Sequence, residues 1–186
     1  ALGELAKVDQ SVAMTLEAGV SLGAMPVYRF GTQEQKDRFL PALVTGQALG
    51  AFGLTEAGAG SDAGGTRTTA RLENGEWVLN GSKAFITNSG TSITSLVTAT
   101  AVTGETATGK KEISSILVPV PTPGFTAEPA YDKVGWNASD THPLTFDDCR
   151  VPEENLLGER GRGYANFLSI LDEGPIATAA VATGVA

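Results

Sequence analysis

Thr66-Arg67-Thr68-Thr69-Ala70-Arg71-Leu72-Glu73-Asn74-Gly75-Glu76-Trp77-Val78-Leu79-Asn80-Gly81-Ser82-Lys83-Ala84-Phe85-Ile86-Thr87 is the stretch on which the fold turns. Thr66 to Leu72 and Trp77 to Leu79 read as strands. Between them lies Glu73-Asn74-Gly75. Asn-Gly is the strongest short hairpin signal, because both central residues of the tight turn must accept positive φ. Asn80-Gly81 repeats the signal before Ser82 to Thr87, so a second turn is expected there.

The same texture extends from about Leu49 to Val151. Ile93 to Val102, Ile113 to Val118, Phe125 to Ala130 and Leu144 to Phe146 read as further short strands. Thr103 to Lys111 reads as an exposed loop, and Pro119 to Gly124 as a rigid turn. Many short strands with glycine and proline turns suggest a barrel or sandwich. Both flanks are helical in pattern. Leu2, Leu5, Val8, Val12 and Leu16 recur at helical spacing, and a second short helix is expected from Leu22 to Phe30. Gly31 stops it, and Thr32-Gln33-Glu34-Gln35 is a capping box for a third, in which Pro41 should act as a kink. Tyr164, Phe167, Leu168 and Leu171 form a last amphipathic face, followed by Gly174-Pro175 and an alanine-rich helix. Apolar helices at both ends call for partners to bury them, and the start lacks Met; the sequence reads as part of something larger.

Bulk properties narrow the function. With 186 residues, 41% hydrophobic and 18% charged, the chain is an ordinary globular protein. A formal charge of -8 argues against nucleic acid as a partner, and no apolar run is long enough to span a membrane as a helix. Cys149 is the single cysteine, which excludes a disulfide framework or zinc site within the chain and makes the cytoplasm the default location. His142 is the single histidine and sits before Pro143, where a structural role is expected.

Upstream of the hairpin lies Gly53-Leu54-Thr55-Glu56-Ala57-Gly58-Ala59-Gly60-Ser61-Asp62, closing on Gly64-Gly65. Glycine lets a ligand come close to the main chain, and successive N–H groups can then face a phosphate or a polar ring edge. A phosphate-gripping P-loop would end in Gly-Lys-Ser/Thr, and this run ends without lysine. A dinucleotide fingerprint would open a helix, whereas this run leads into a strand. A spare glycine loop stays as good a reading on composition alone.

Four ordered motifs, however, resemble the acyl-CoA dehydrogenase family. Leu54 to Asp62 resembles its flavin loop, with Ala57 where proline is usual. Phe30-Gly31-Thr32-Gln33-Glu34-Gln35-Lys36 with Leu40-Pro41 resembles the helix before its β domain. Leu79 to Asn88 resembles its second flavin segment, and Phe146 to Gly158 the exit from its β domain. The resemblance implies an α+β arrangement: 1–48 as the end of an N-terminal helical domain, 49–157 as a middle β-barrel domain, and 158–186 as the first helix of a C-terminal helical domain. It implies α,β-dehydrogenation of an acyl-CoA thioester, with hydride passing to N5 of FAD, an electron-transfer flavoprotein as acceptor, and a homotetramer.

By the same resemblance, Phe52, Gly53, Leu54, Thr55, Gly60, Ser61, Phe85, Ile86 and Thr87 contact FAD. Thr55 serves the polar edge of the ring and Thr87 the N5 region. Ser61 and Asp172 lie along the coenzyme A arm. Without the resemblance, β-propensity alone explains the threonines. Trp77 and Trp136 are expected in the core or an interface, and Glu56 and Asp62 as acceptors that orient the loop. Phe85 stands where tryptophan is common, and Pro175 where arginine is. No catalytic base is assigned: the family's glutamate is expected beyond Ala186, the minority position falls on Gly174, and the adjacent Glu173 would point elsewhere on a helix. The rival functions are a catalytically dead binding relative and a flavin monooxygenase or oxidase on the same scaffold.

Overall fold

The computed structural model describes residues 1–172 and 174–186. The chain opens with α1 (Leu2–Ala6) and α2 (Gln10–Ala18). Asp9 caps α2, its carboxylate accepting from the Ser11 and Val12 amides at 2.7 and 3.2 Å. A π-helical segment, Gly19–Ala24, carries the chain on into α3 (Met25–Phe30). Here Gly23 lies so close to the sheet that a Cβ would stand 2.7 Å from the Gly50 carbonyl oxygen.

The capping box forms as expected at the start of α4 (Gln33–Val44). Thr32 Oγ1 accepts from the Gln35 amide at 3.2 Å, and Gln35 Oε1 accepts from the Thr32 amide at 3.0 Å. The Gln35 amide nitrogen also donates to the carbonyls of Glu154 and Leu156, at 2.7 and 2.9 Å. One buried side chain thus caps a helix and ties it to the end of the sheet. The helix runs through Pro41 to Val44.

Among the described residues, eight strands form one sheet: β1 (Leu49–Gly53), β2 (Thr69–Glu73), β3 (Glu76–Thr87), β4 (Thr94–Glu105), β5 (Lys111–Pro119), β6 (Phe125–Ala127), β7 (Thr141–Pro152) and β8 (Leu156–Leu157). Their order is β6-β7-β3-β2-β4-β5-β8, with β1 paired in parallel to β4. The hairpin at Asn74-Gly75 is present: Glu73 pairs with Glu76, and the two turn residues have φ of 53° and 83°. The second turn is not. Asn80-Gly81 lies inside β3, where the register against β7 shifts between Leu79 and Gly81, and Gly81 takes φ 144°. A Cβ there would come within 2.7 Å of the Thr68 Cα, so the glycine serves a bulge and a close approach. β4 and β5 likewise pair out to Glu105–Lys111, shortening the expected loop, and β7 is far longer than Leu144–Phe146.

The expected barrel is also corrected: the sheet is open. Closure needs two end strands that pair along their length. Among the described residues the ends of that order are β6, with three residues, and β8, with two; β6 pairs with β7 and β8 with β5, not with each other. The apolar surface is buried in other ways. Ala51, Trp77, Leu79, Val97, Ile116, Val118, Leu144 and Phe146 share one cluster, so the sheet folds over on itself. The other face of β4 and β5 meets helices, with Leu96 and Leu117 clustered with Val27 of α3, Phe39 of α4 and Leu157. This is why Ile113 to Val118 is buried without interruption. The chain then runs into α5 (Gly163–Leu171) and α6 (Gly174–Val185). No helix among the described residues is long and apolar enough to cross a membrane.

Candidate functional site

The glycine run leaves the end of β1 and returns to β2, and Glu56 organises it. The Glu56 and Ala59 backbones exchange hydrogen bonds at 3.1 and 3.0 Å, closing a tight turn. Its carboxylate reaches across the loop: Oε1 accepts from Thr66 Oγ1 at 2.8 Å and from the Thr68 amide at 3.0 Å, and Oε2 from the Arg67 amide at 2.7 Å. Glu56 therefore orients the loop as expected, while Asp62 contributes its backbone carbonyl, to the Gly65 amide at 3.0 Å. Gly58 and Gly60 have neither positive φ nor any atom within 4 Å of where a Cβ would stand. Packing within the chain does not demand glycine at either place. A surface that a flat ligand must approach closely would.

Lys83, which sequence reasoning passed over, completes the arrangement. Its ammonium is buried and lies 2.8 Å from Glu56 Oε1 and 3.2 Å from each of the Leu54 carbonyl, Thr66 Oγ1 and Thr100 Oγ1. Burial pushes the Glu56 carboxyl upward, but hydrogen bonds from Lys83 and Thr68 and the Lys83 charge outweigh it and hold it at about 2. Burial lowers Lys83, and Glu56 offsets part of that. A lone lysine in a strand pattern ordinarily reads as a solvated face, and nothing in the sequence links it to a glutamate in a loop 27 residues earlier.

One residue on, the Ala84 amide donates to the Thr55 carbonyl at 2.8 Å, joining β3 directly to the loop. The register against β7 then shifts between Lys83 and Ile86, and Phe85 takes φ 60°. A bulge of this kind re-aims side chains. Phe85 is turned outward and 65% exposed, stacked on Tyr131 at 4.9 Å between ring centroids. Ile86 points the other way into the core. Thr87 pairs with Thr141 and lines a cavity of about 410 Å³ with Met14, Glu17, Ala18, Leu22 and Trp136.

Phe52 is buried, its ring 4.5 Å from that of Phe167 on α5, so its side chain is committed to packing. The Gly53 carbonyl accepts from Thr100 Oγ1 at 3.3 Å, and a Cβ on Gly53 would stand 3.1 Å from Lys83 Cγ. Leu54 and Thr55 are half-buried and bound through their carbonyls to Lys83 and Ala84. Gly60 and Ser61 are exposed on the loop, and Asp172 is exposed at the end of α5. Glu173 lies outside the described residues. Trp77 is in the core; Trp136 is half exposed and donates to Gln10 Oε1 at 3.0 Å. His142 has a structural place, with Nε2 2.6 Å from Asp140 Oδ1 and Nδ1 2.5 Å from the Glu128 carbonyl. Burial pushes the Cys149 thiol up to about 11. Among the described residues, no group of three or more His, Cys, Asp or Glu is placed to hold a metal.

The model of the acyl-CoA dehydrogenase middle domain matches residues 51–149, and that of the N-terminal domain matches 1–47. The chain belongs to the acyl-CoA dehydrogenase family. A probable acyl-CoA dehydrogenase of Bacillus subtilis, YngJ, is 48% identical over 186 residues, covering 100% of this chain and 48% of the relative. Butyryl-CoA dehydrogenase from Megasphaera elsdenii superposes with a TM-score of 0.92 at 46% identity, over 98% of this chain and 47% of that one. An acyl-CoA dehydrogenase from Bacillus anthracis, solved in complex with FAD, gives 0.86 at 38% identity, over 94% and 30%. The chain spans about half the length of the curated relatives it matches. The Ala84–Thr55 bond puts the two glycine- and threonine-bearing segments side by side.

Proposed function

We propose that this chain carries the flavin-binding part of an acyl-CoA dehydrogenase, with FAD seated against the loop from Phe52 to Ser61 and the Phe85–Thr87 edge of β3. Residues 49–157 then form the sheet domain, with 1–48 and 158–186 belonging to helical domains on either side. The whole protein would oxidise an acyl-CoA thioester to its α,β-unsaturated counterpart. The observation that carries this is the joining of the two segments: Ala84 to the Thr55 carbonyl, and Lys83 to Leu54 and Glu56.

Bound there, FAD would supply the hydride acceptor. The chain's own residues bind and orient. The exposed Phe85 ring offers an aromatic face. The Thr55 and Thr87 hydroxyls can donate or accept as the charge of a neighbouring ring changes. The main chain at Gly58 and Gly60 has open space beside it, where backbone groups can face a polar edge or phosphate. Ser61 and Asp172 line the thioester's coenzyme A arm. The α-proton goes to a carboxylate outside these residues. An electron-transfer flavoprotein as acceptor and a homotetrameric assembly complete the proposal on the strength of family membership.

The test is Thr87→Val in the full-length protein, followed anaerobically as an acyl-CoA bleaches the flavin. Loss of one hydrogen bond at the reacting edge should slow reduction roughly tenfold. An unchanged rate would remove Thr87 from the site. Rapid reaction of the reduced wild-type flavin with oxygen would favour an oxidase or monooxygenase instead.

A further inference from the structure

The Lys83 ammonium has three protons and four oxygen acceptors within 3.2 Å. Leu54 and Glu56 lie at the start of the glycine run and Thr66 just beyond its end, while Thr100 stands on β4. The ammonium therefore gathers both ends of the loop over the sheet. Gly53 leaves room for its stem, since a Cβ there would stand 3.1 Å from Lys83 Cγ. Thr55 is pinned from both neighbours by Lys83 and through its own carbonyl by Ala84. The next residue is the outward-turned Phe85. Burying two charges is a poor way to gain stability, because well-packed apolar side chains of similar size do as well or better. What a pair with fixed hydrogen bonds supplies instead is a defined geometry.

We propose that Lys83, acting through Glu56 and the Leu54 carbonyl, is the positioning residue of the flavin site: it sets the Thr55 hydroxyl and the loop amides at a fixed distance from the Phe85–Thr87 edge. The proposal rests on the flavin reading above. It assigns Lys83 no contact with the cofactor and no part in proton transfer.

The test uses full-length protein stripped of flavin and titrated with FAD, comparing wild type, Lys83→Met and the double variant Lys83→Met/Glu56→Gln. The single variant leaves a buried carboxylate unpaired and should lower both melting temperature and FAD affinity. In the double variant no charge is stranded, so the melting temperature of the apoprotein should rise above that of the single variant; it should stay short of wild type, because glutamine accepts through one oxygen only where Glu56 uses both. Its FAD affinity should stay down by about tenfold or more, the scale of one or two misplaced hydrogen bonds, with a shifted visible flavin band. Wild-type affinity and spectrum in the double variant would overturn the positioning role and leave the flavin reading standing. Failure of the wild-type protein to take up FAD would overturn the flavin reading and the proposal with it. Should the double variant not fold, Thr100→Val removes one of the four acceptors. It also frees the Gly53 carbonyl, so the melting temperature should fall modestly; FAD affinity of the folded protein should weaken about threefold, and unchanged affinity would overturn the role.

Discussion

β3 and β4 are both twelve residues long, yet they are built for different ends. β4 is regular. From Leu96 to Ala101 it is buried throughout, alternating between the folded-over sheet, with Val97 and Ala99, and the helix-packed face, with Leu96. β3 pairs evenly with β7 from Glu76 to Leu79; thereafter its register shifts twice within the strand, and it carries a buried lysine, an outward phenylalanine at φ 60° and a threonine at a cavity wall. The difference teaches that a strand can contribute cohesion along one stretch and present a site where its pairing is interrupted.

Leu96→Ala in β4 should have the largest effect on stability. It empties a site that is 1% exposed among Val27, Phe39, Leu117 and Leu157, and should cost about 3 kcal/mol in urea unfolding. FAD affinity of the folded fraction should be unchanged; a large loss would blur the distinction between the strands.

Acid sharpens it from the other side. Glu56 ionises at about 2 in the folded protein against 4.5 for an ordinary glutamate, so between those values the unfolded chain binds more protons. Its contribution to stability is therefore complete above about pH 5 and lost as pH falls toward 2, a change of about 3 kcal/mol. Denaturant titrations at pH 6, 4 and 3 should show a steeper acid loss in wild type than in Lys83→Met/Glu56→Gln. Equal slopes would mean that the pair is not coupled to folding.

Phe85→Ala should change stability least, by under about 0.5 kcal/mol, because the ring is exposed and gives up only its stacking on Tyr131. FAD retention on a desalting column should nonetheless fall. A variant that melts normally and keeps its flavin would show that the outward turn at the bulge serves something else.

Local chemistry was the legible part of this chain. The Asn74-Gly75 hairpin and the Thr32–Gln35 capping box are complete within four residues, and both form as the sequence predicts. Asn80-Gly81 carries the same dipeptide as the hairpin and is a bulge instead, because β7 and Thr68 flank it. What distinguishes the two is a neighbour remote in sequence. The barrel expectation failed for a related reason. Strand count is visible in a sequence, but whether the outermost strands meet depends on their lengths and on the helices that cover the sheet. At the candidate site, the glycine run and Phe85-Ile86-Thr87 stood out by motif. Lys83 did not, since a buried lysine is defined by its partners, and those lie in a loop and on another strand.

The brevity of β6 and β8 has a consequence beyond topology. An open sheet ordinarily leaves two rows of amides and carbonyls ready to recruit a strand from another molecule. Here the terminal strands offer three residues and two, and Asn155 takes the Leu117 carbonyl with its side-chain amide at 2.8 Å. The folded sheet thus presents little template for intermolecular β-pairing at β6 or β8. At those two edges, shortness limits pairing with another chain without the closure that a barrel would provide.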